Sequence, residues 1–169
     1  TEYVSTTMHG DSTVFGVNFA DGRIKGYPRD TGPFGKPMKG FCLYVRGNLN
    51  YGINDFIDNG DGTITDTSTG LILAKEDSGE GMNWEDALAW VQQRNREKYL
   101  GYSDWRLPNA KELQSIVDYS RAPNVTNSAA IDPLFNVSTI IDGGGKTNYP
   151  FYWTSTTHRN VLGGRNAVY

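Results

Sequence analysis

Residues 54–71 read NDFIDNGDGTITDTSTGL, with four aspartates, an Asn-Gly and an Asp-Gly dipeptide, and no lysine or arginine. A calcium loop and a pair of tight turns both fit that composition. An EF-hand loop needs oxygen ligands at positions one, three and five, glycine at six and glutamate at twelve. With Gly62 at position six, Ile57 falls at one and Ser68 at twelve, and neither supplies the required ligand. The flanking residues alternate like strands instead of showing a helical period. Asn59-Gly60 and Asp61-Gly62 supply positive φ at little cost, so the chain is expected to reverse here between strands over 54–58 and 63–66. The second turn, DTSTG, leads into residues 71–75 and completes a three-strand meander. An oxygen-ligand site of another geometry, using Asp58, Asp61 and Asp66 with calcium as its metal, competes with the reading in which these side chains cap their own turns. No other cofactor is expected.

Upstream, FCLYVRG (41–47) reads as a strand with Cys42 buried in it. TVFGVNFADGRIKGYP (13–28) reads as a hairpin turning at Asp21-Gly22. Residues 29–40 are a Pro- and Gly-rich loop, and residues 1–13 are an arm. Downstream, MNWEDALAWVQQRNREK predicts a helix with Asn83 as N-cap, acids Glu85 and Asp86 in its first turn, and an inward stripe of Trp84, Leu88 and Val91. LPNAKELQSIVDYS predicts a second helix, with Asn109 and Glu112 forming a capping box and Leu113, Ile116 and Val117 forming its apolar stripe. After Ser120 the pattern is irregular until FYWTST and RNAVY, which read as strands. No internal repeat or low-complexity linker stands out. The expected organisation is an arm over 1–13 and one domain over 14–169, with an incomplete C-terminus because the last residues lie inside an apparent strand.

The 169 residues carry a net charge of −3, 37% hydrophobic and 21% charged residues, 20 glycines and 10 tyrosines. This is a globular composition weighted toward short strands and turns. The acidic balance argues against a nucleic-acid partner, and the local set Arg23, Lys25, Arg29, Lys36 and Lys39 reads as a solvated loop. A single cysteine excludes an intrachain disulfide and any site needing two thiolates. No apolar run is long enough to cross a bilayer, so membrane insertion is not expected. His9 and His158 lie in no HExxH pattern, and no serine lies in a G-x-S-x-G elbow. DGGGKT (142–147) does not match the phosphate-loop spacing.

Aromatic clustering is more informative. Tyr149, Phe151, Tyr152 and Trp153 follow that glycine loop and precede His158, Arg159 and Arg165. Aromatic rings beside arginines suit recognition of a sugar or a protein. Tyr149, Trp153, His158, Arg159 and Arg165, on a loop face over 142–165, are therefore the candidate ligand-binding residues. Strand alternation would instead place Trp153 in the core. Trp105 and Arg106 read as structural, a wedge at the start of a helix and an arginine paired with a carboxylate.

The ordered segments DFIDNGDGTITDTSTGL, WEDALAW, GYSDWRLPNAKELQSIVDYS, IDPLF and YWTST resemble the Lcl C-terminal domain family, from about Val45 onward. One departure is Leu73, which stands where the family commonly has tryptophan. The resemblance implies an α+β, C-type-lectin-like fold with two helices packed on a small twisted antiparallel sheet and long loops. It also implies a bacterial secreted or cell-surface protein whose non-enzymatic domain recognises a glycan or protein, with a homo-oligomer as a possible state. Two alternatives are a carboxylate- or metal-dependent hydrolase and a display scaffold with variable ligand-binding loops.

Overall fold

Glycine sets where the central sheet turns. Gly60 and Gly62 adopt φ of +77° and +91°, and a Cβ at Gly62 would lie 2.7 Å from a Leu100 methyl carbon. The chain therefore reverses between β4 (Phe56–Asp58) and β5 (Thr63–Asp66). Gly70, at +73°, then ends the turn into β6 (Leu71–Ala74). The three strands pair antiparallel in the order β4-β5-β6, with Ile57 opposite Thr65 and Ile64 opposite Leu73. This is the meander expected from residues 54–75.

The computed structural model describes the backbone of residues 3–9, 12–19, 22, 24–32, 35–36, 39–49, 51–160 and 163–167; side chains are described over the same residues except 3–9, 158–160 and 163–167. Its architecture is α+β. A second antiparallel sheet, β1-β2-β3, is built from Tyr3–His9, Thr13–Val17 and Ile24–Pro28. The expected hairpin over 13–28 is present, with Gly22 at φ +74° and its N–H bonded to the Asn18 carbonyl at 2.7 Å. The segment read as an arm carries β1, which pairs with β2 from Tyr3↔Val17 to His9↔Thr13. Helix α1 spans Trp84–Arg96, α2 Ala110–Ser115 and α3 Pro123–Thr126. Two short ribbons follow, β7 (Ile140–Ile141) with β8 (Thr147–Asn148), and β9 (Thr157–Asn160) with β10 (Gly163–Ala167).

Both expected N-caps form. Asn83 accepts the Asp86 N–H, and Asn109 and Glu112 close a full capping box. Arg106 adds two bonds of 2.7 Å to the Glu112 carboxylate. The Trp105 indole N–H donates to the Tyr99 carbonyl at 2.8 Å, while the Asn95 side chain bonds the Trp105 backbone at both ends. The described buried hydrophobic core is small: Ile64 of β5, Ala87 and Val91 of α1, Ile116, Ala122 and Phe135. Phe135 packs edge-on against Phe56 at 5.2 Å, which ties the later loops to the meander. Phe15 of β2 packs on Tyr119 at 4.6 Å, joining the first sheet to the segment after α2.

Three expectations differ from the structure. Residues 41–47 form no strand beyond a bridge at Phe41, and Cys42 is exposed, not buried. Alternation buries a face only where another layer covers it, and no described element covers this one. Helix α2 stops at Ser115 instead of running on to residue 120. Asp118 there accepts the Ser120 N–H and hydroxyl, a local turn that competes with helical continuation. FYWTST is not in a ladder: residues 151–156 thread between helix starts, and β9 begins only at Thr157.

Candidate functional site

The threading of residues 151–156 positions the site. The Trp84 indole N–H donates to the Thr154 carbonyl at 2.9 Å, and the Trp153 indole N–H donates to the Met82 carbonyl at 2.8 Å. These two bonds lock the segment to the start of α1. The Thr156 hydroxyl accepts the Ala110 N–H at 3.0 Å, and the Ser155 N–H donates to the Pro108 carbonyl at 2.8 Å. These lock the same segment to the start of α2. The polar edge of Trp153 is therefore spent on the fold and its side chain is half-buried.

Tyr152 points toward Asp77, the hub of the region. One Asp77 carboxylate oxygen accepts the Gly79 N–H at 2.9 Å and the Ser138 hydroxyl at 2.7 Å. The other accepts the Ser138 N–H and the Tyr152 hydroxyl, both at 2.6 Å. Burial pushes the Asp77 carboxyl upward, but the bonds from Ser138, Tyr152 and Gly79 outweigh it and hold the group below the usual carboxylate range. Tyr152 moves the other way: burial and its bond to the Asp77 carboxylate raise its hydroxyl above the ordinary tyrosine value. A parallel bridge between Glu76 and Asn136, with the Asn136 N–H on the Lys75 carbonyl at 2.8 Å, draws the 128–139 loop alongside.

Between these loops lies an open cleft of about 550 Å³. Glu76, Asp77, Arg121, Asp132, Ser138 and Tyr149 supply the lining groups able to contact a ligand, over an apolar floor that includes Phe135. Arg121 donates its Nε–H to the Ala129 carbonyl at 3.2 Å; its terminal nitrogens have no further hydrogen bond among the described residues. One Asp132 oxygen accepts the Leu134 N–H at 2.8 Å. The cleft thus offers a guanidinium tethered through its Nε–H, hydroxyls, carboxylates and a tyrosine ring. Acidic side chains outnumber the arginine.

Of the ligand-binding residues expected from sequence, Tyr149 lines this cleft and Trp153 is held beside α1. His158 and Arg159 lie on β9 and Arg165 on β10; these strands pair with His158 opposite Asn166. The backbone therefore brings all three residues onto one ribbon, while their side chains fall outside the described set.

The aspartates of the opening stretch point to their own turns. Asp58 accepts the Gly60 N–H and pairs with Lys75. Asp61 accepts the Thr63 N–H and hydroxyl through one oxygen. Asp66 is fully buried; its oxygens accept the Asp55 and Ser68 N–H groups, the Asn54 amide and the Thr69 hydroxyl, at 2.8–3.1 Å. Among the described residues no three His, Cys, Asp or Glu gather in a group that could hold a metal ion. Asp77 and Arg121 were not evident as site residues from sequence. The Asp-Ser-Gly run at 77–79 signals a side-chain-stabilised turn, but nothing local marks its contacts with Ser138 and Tyr152.

A family model described as the Lcl C-terminal domain matches residues 62–168. Comparisons with curated proteins and with solved structures gave no match. The cleft, Tyr149 and the β9–β10 ribbon all lie within the matched span.

Proposed function

Because the chain belongs to the Lcl C-terminal domain family over residues 62–168, we propose that it is a non-enzymatic, C-type-lectin-like binding module of a bacterial secreted or cell-surface protein, and that it takes a neutral glycan in the cleft between Asp77 and Tyr149. The observation that carries this reading is the lining of the cleft. A tyrosine ring can stack on a sugar face, while the terminal nitrogens of Arg121 present donors and the Asp132 carboxylate and Ser138 hydroxyl oxygen present acceptors. The excess of Glu76, Asp77 and Asp132 over Arg121 disfavours a polyanionic ligand. The β9–β10 ribbon with His158, Arg159 and Arg165 would extend the contact surface, and Trp153 would serve by holding the wall in place.

The Asp77 carboxylate favours binding over hydrolysis at this hub. In the cleft, the bonds from Ser138, Tyr152 and Gly79 hold the Asp77 carboxyl below the usual carboxylate range. A general acid for glycoside chemistry needs the opposite displacement.

A glycan array probed with the whole chain, with neutral and sulfated sugars side by side, tests the proposal. The expected result is binding to a neutral glycan that falls at least about tenfold in Tyr149→Ala and in Arg121→Ala, the loss of roughly 1.4 kcal/mol of contact. Binding confined to sulfated sugars, or binding indifferent to both substitutions, contradicts it.

A further inference from the structure

Hydrogen bonds made within the fold divide the cleft into groups that are already satisfied and groups that are open to a ligand. Asp77 accepts four donors, and Ser138 gives both its N–H and its hydroxyl proton to Asp77. Asp132 differs: one oxygen accepts the Leu134 N–H at 2.8 Å, and the other has no hydrogen bond among the described residues. The Arg121 tether to the Ala129 carbonyl holds the guanidinium against the loop that carries Asp132 and leaves its terminal N–H groups to a ligand. The apolar lining comes from the same loop. Ala129, Ile131, Pro133, Phe135 and Val137 occupy every odd position from 129 to 137, and all of them line the cleft. Asp132 fixes the middle of that run, with its side chain on the Leu134 N–H and its carbonyl on the Phe135 N–H at 3.1 Å. Such a lining disfavours a sugar covered everywhere by hydroxyls, because a hydroxyl turned onto carbon loses its hydration without gaining a partner.

Resting on the glycan reading above, we infer that the cleft is specific for an acetamido sugar, an N-acetylhexosamine of gluco or galacto configuration. An acetamido group carries an acceptor, a donor and a methyl group in one plane. Its carbonyl takes a terminal N–H of Arg121, its N–H meets the open Asp132 oxygen, and its methyl lies on the apolar lining, while the Tyr149 ring takes the sugar face. The group is neutral, so it answers a charged donor and a charged acceptor without bringing a charge of its own beside Glu76 and Asp77. A deoxy sugar such as L-fucose supplies a methyl alone, and an unacetylated amino sugar supplies N–H alone; each leaves part of the cleft unmatched.

Titration of the whole chain with methyl glycosides in matched pairs, followed by NMR, tests this specificity. The pairs are N-acetylglucosamine against glucose and N-acetylgalactosamine against galactose, with glucosamine and L-fucose as controls carrying one feature each. The acetamido member of at least one pair should bind at least about tenfold more tightly than its hydroxyl partner, and neither control should exceed the hydroxyl sugars. Asp132→Asn keeps an oxygen for the Leu134 N–H and places an NH₂ where the open oxygen stood, so that donor faces donor. It should shrink the acetamido advantage to below about threefold and leave the hydroxyl sugars unchanged, whereas a structural defect would weaken both members alike. Equal binding within both pairs, a control that matches the acetamido sugar, or an advantage untouched by Asp132→Asn overturns the inference. An array ligand that lacks an acetamido group but depends on Tyr149 and Arg121 overturns it while leaving the glycan reading in place; absence of any sugar binding removes both.

Discussion

Asp66 and Asp77 do the same work in different places: each is a carboxylate whose two oxygens accept four donors. Substituting asparagine turns one oxygen into an NH₂ that faces two of those donors. Bonds to a charged acceptor contribute about 1.5–3 kcal/mol each, and an unsatisfied buried group adds its own cost. Asp66→Asn and Asp77→Asn should therefore each lower unfolding free energy by about 3 kcal/mol in urea titrations; a loss below about 0.5 kcal/mol would contradict the hub role. The pH dependence follows from the same bonds. For both groups burial acts to raise the carboxyl, but the hydrogen bonds win and lower it. Their folded values lie below the unfolded ones, so the stability they contribute is present above the ordinary carboxylate range and is lost as pH falls through the folded values. Thermal unfolding should be level from neutrality to about pH 5 and fall steeply below about pH 4, with a shallower fall in either asparagine variant. A midpoint that rises on acidification would refute this assignment.

At the scale of elements, what could be read from sequence was what is local. The glycine turn between β4 and β5, the caps at Asn83 and Asn109, and the Arg106–Glu112 pair each depend on residues within a few positions. The two devices at the start of α2 should differ in weight. Asn109→Ala removes the cap and should cost about 1 kcal/mol. Arg106→Ala breaks an ion pair whose arginine side chain is 59% exposed and should cost less, between about 0 and 1 kcal/mol. Chemical denaturation of the two variants side by side checks the order. The cleft was illegible because its hub reaches across the chain: Asp77 meets Ser138 and Tyr152 at separations of 61 and 75 residues. FYWTST misled for a related reason. Its aromatic, β-branched composition is that of a strand, but its hydrogen-bond partners are the starts of two helices, and nothing within the segment reveals that. The strip over 41–47 shows the converse, a strand pattern whose covering layer is not among the described elements.

For the molecule as a whole, the meander, α1, α2 and the threaded segment 151–156 form a frame held by a few buried apolar side chains and by polar pins that cross between loops. Tyr149 and Arg121 stand on loops pinned by that frame, an arrangement suited to binding with little rearrangement. The family match covers this frame from β5 onward, and the β9–β10 ribbon with it. The most direct test of the cleft is amide chemical-shift mapping of the isotopically labelled chain as a neutral glycan selected on the array is added. The account predicts saturable shifts at residues 76–79, 128–139 and 149 that vanish in Arg121→Ala; shifts confined to residues 157–167, or spread without saturation, would contradict it.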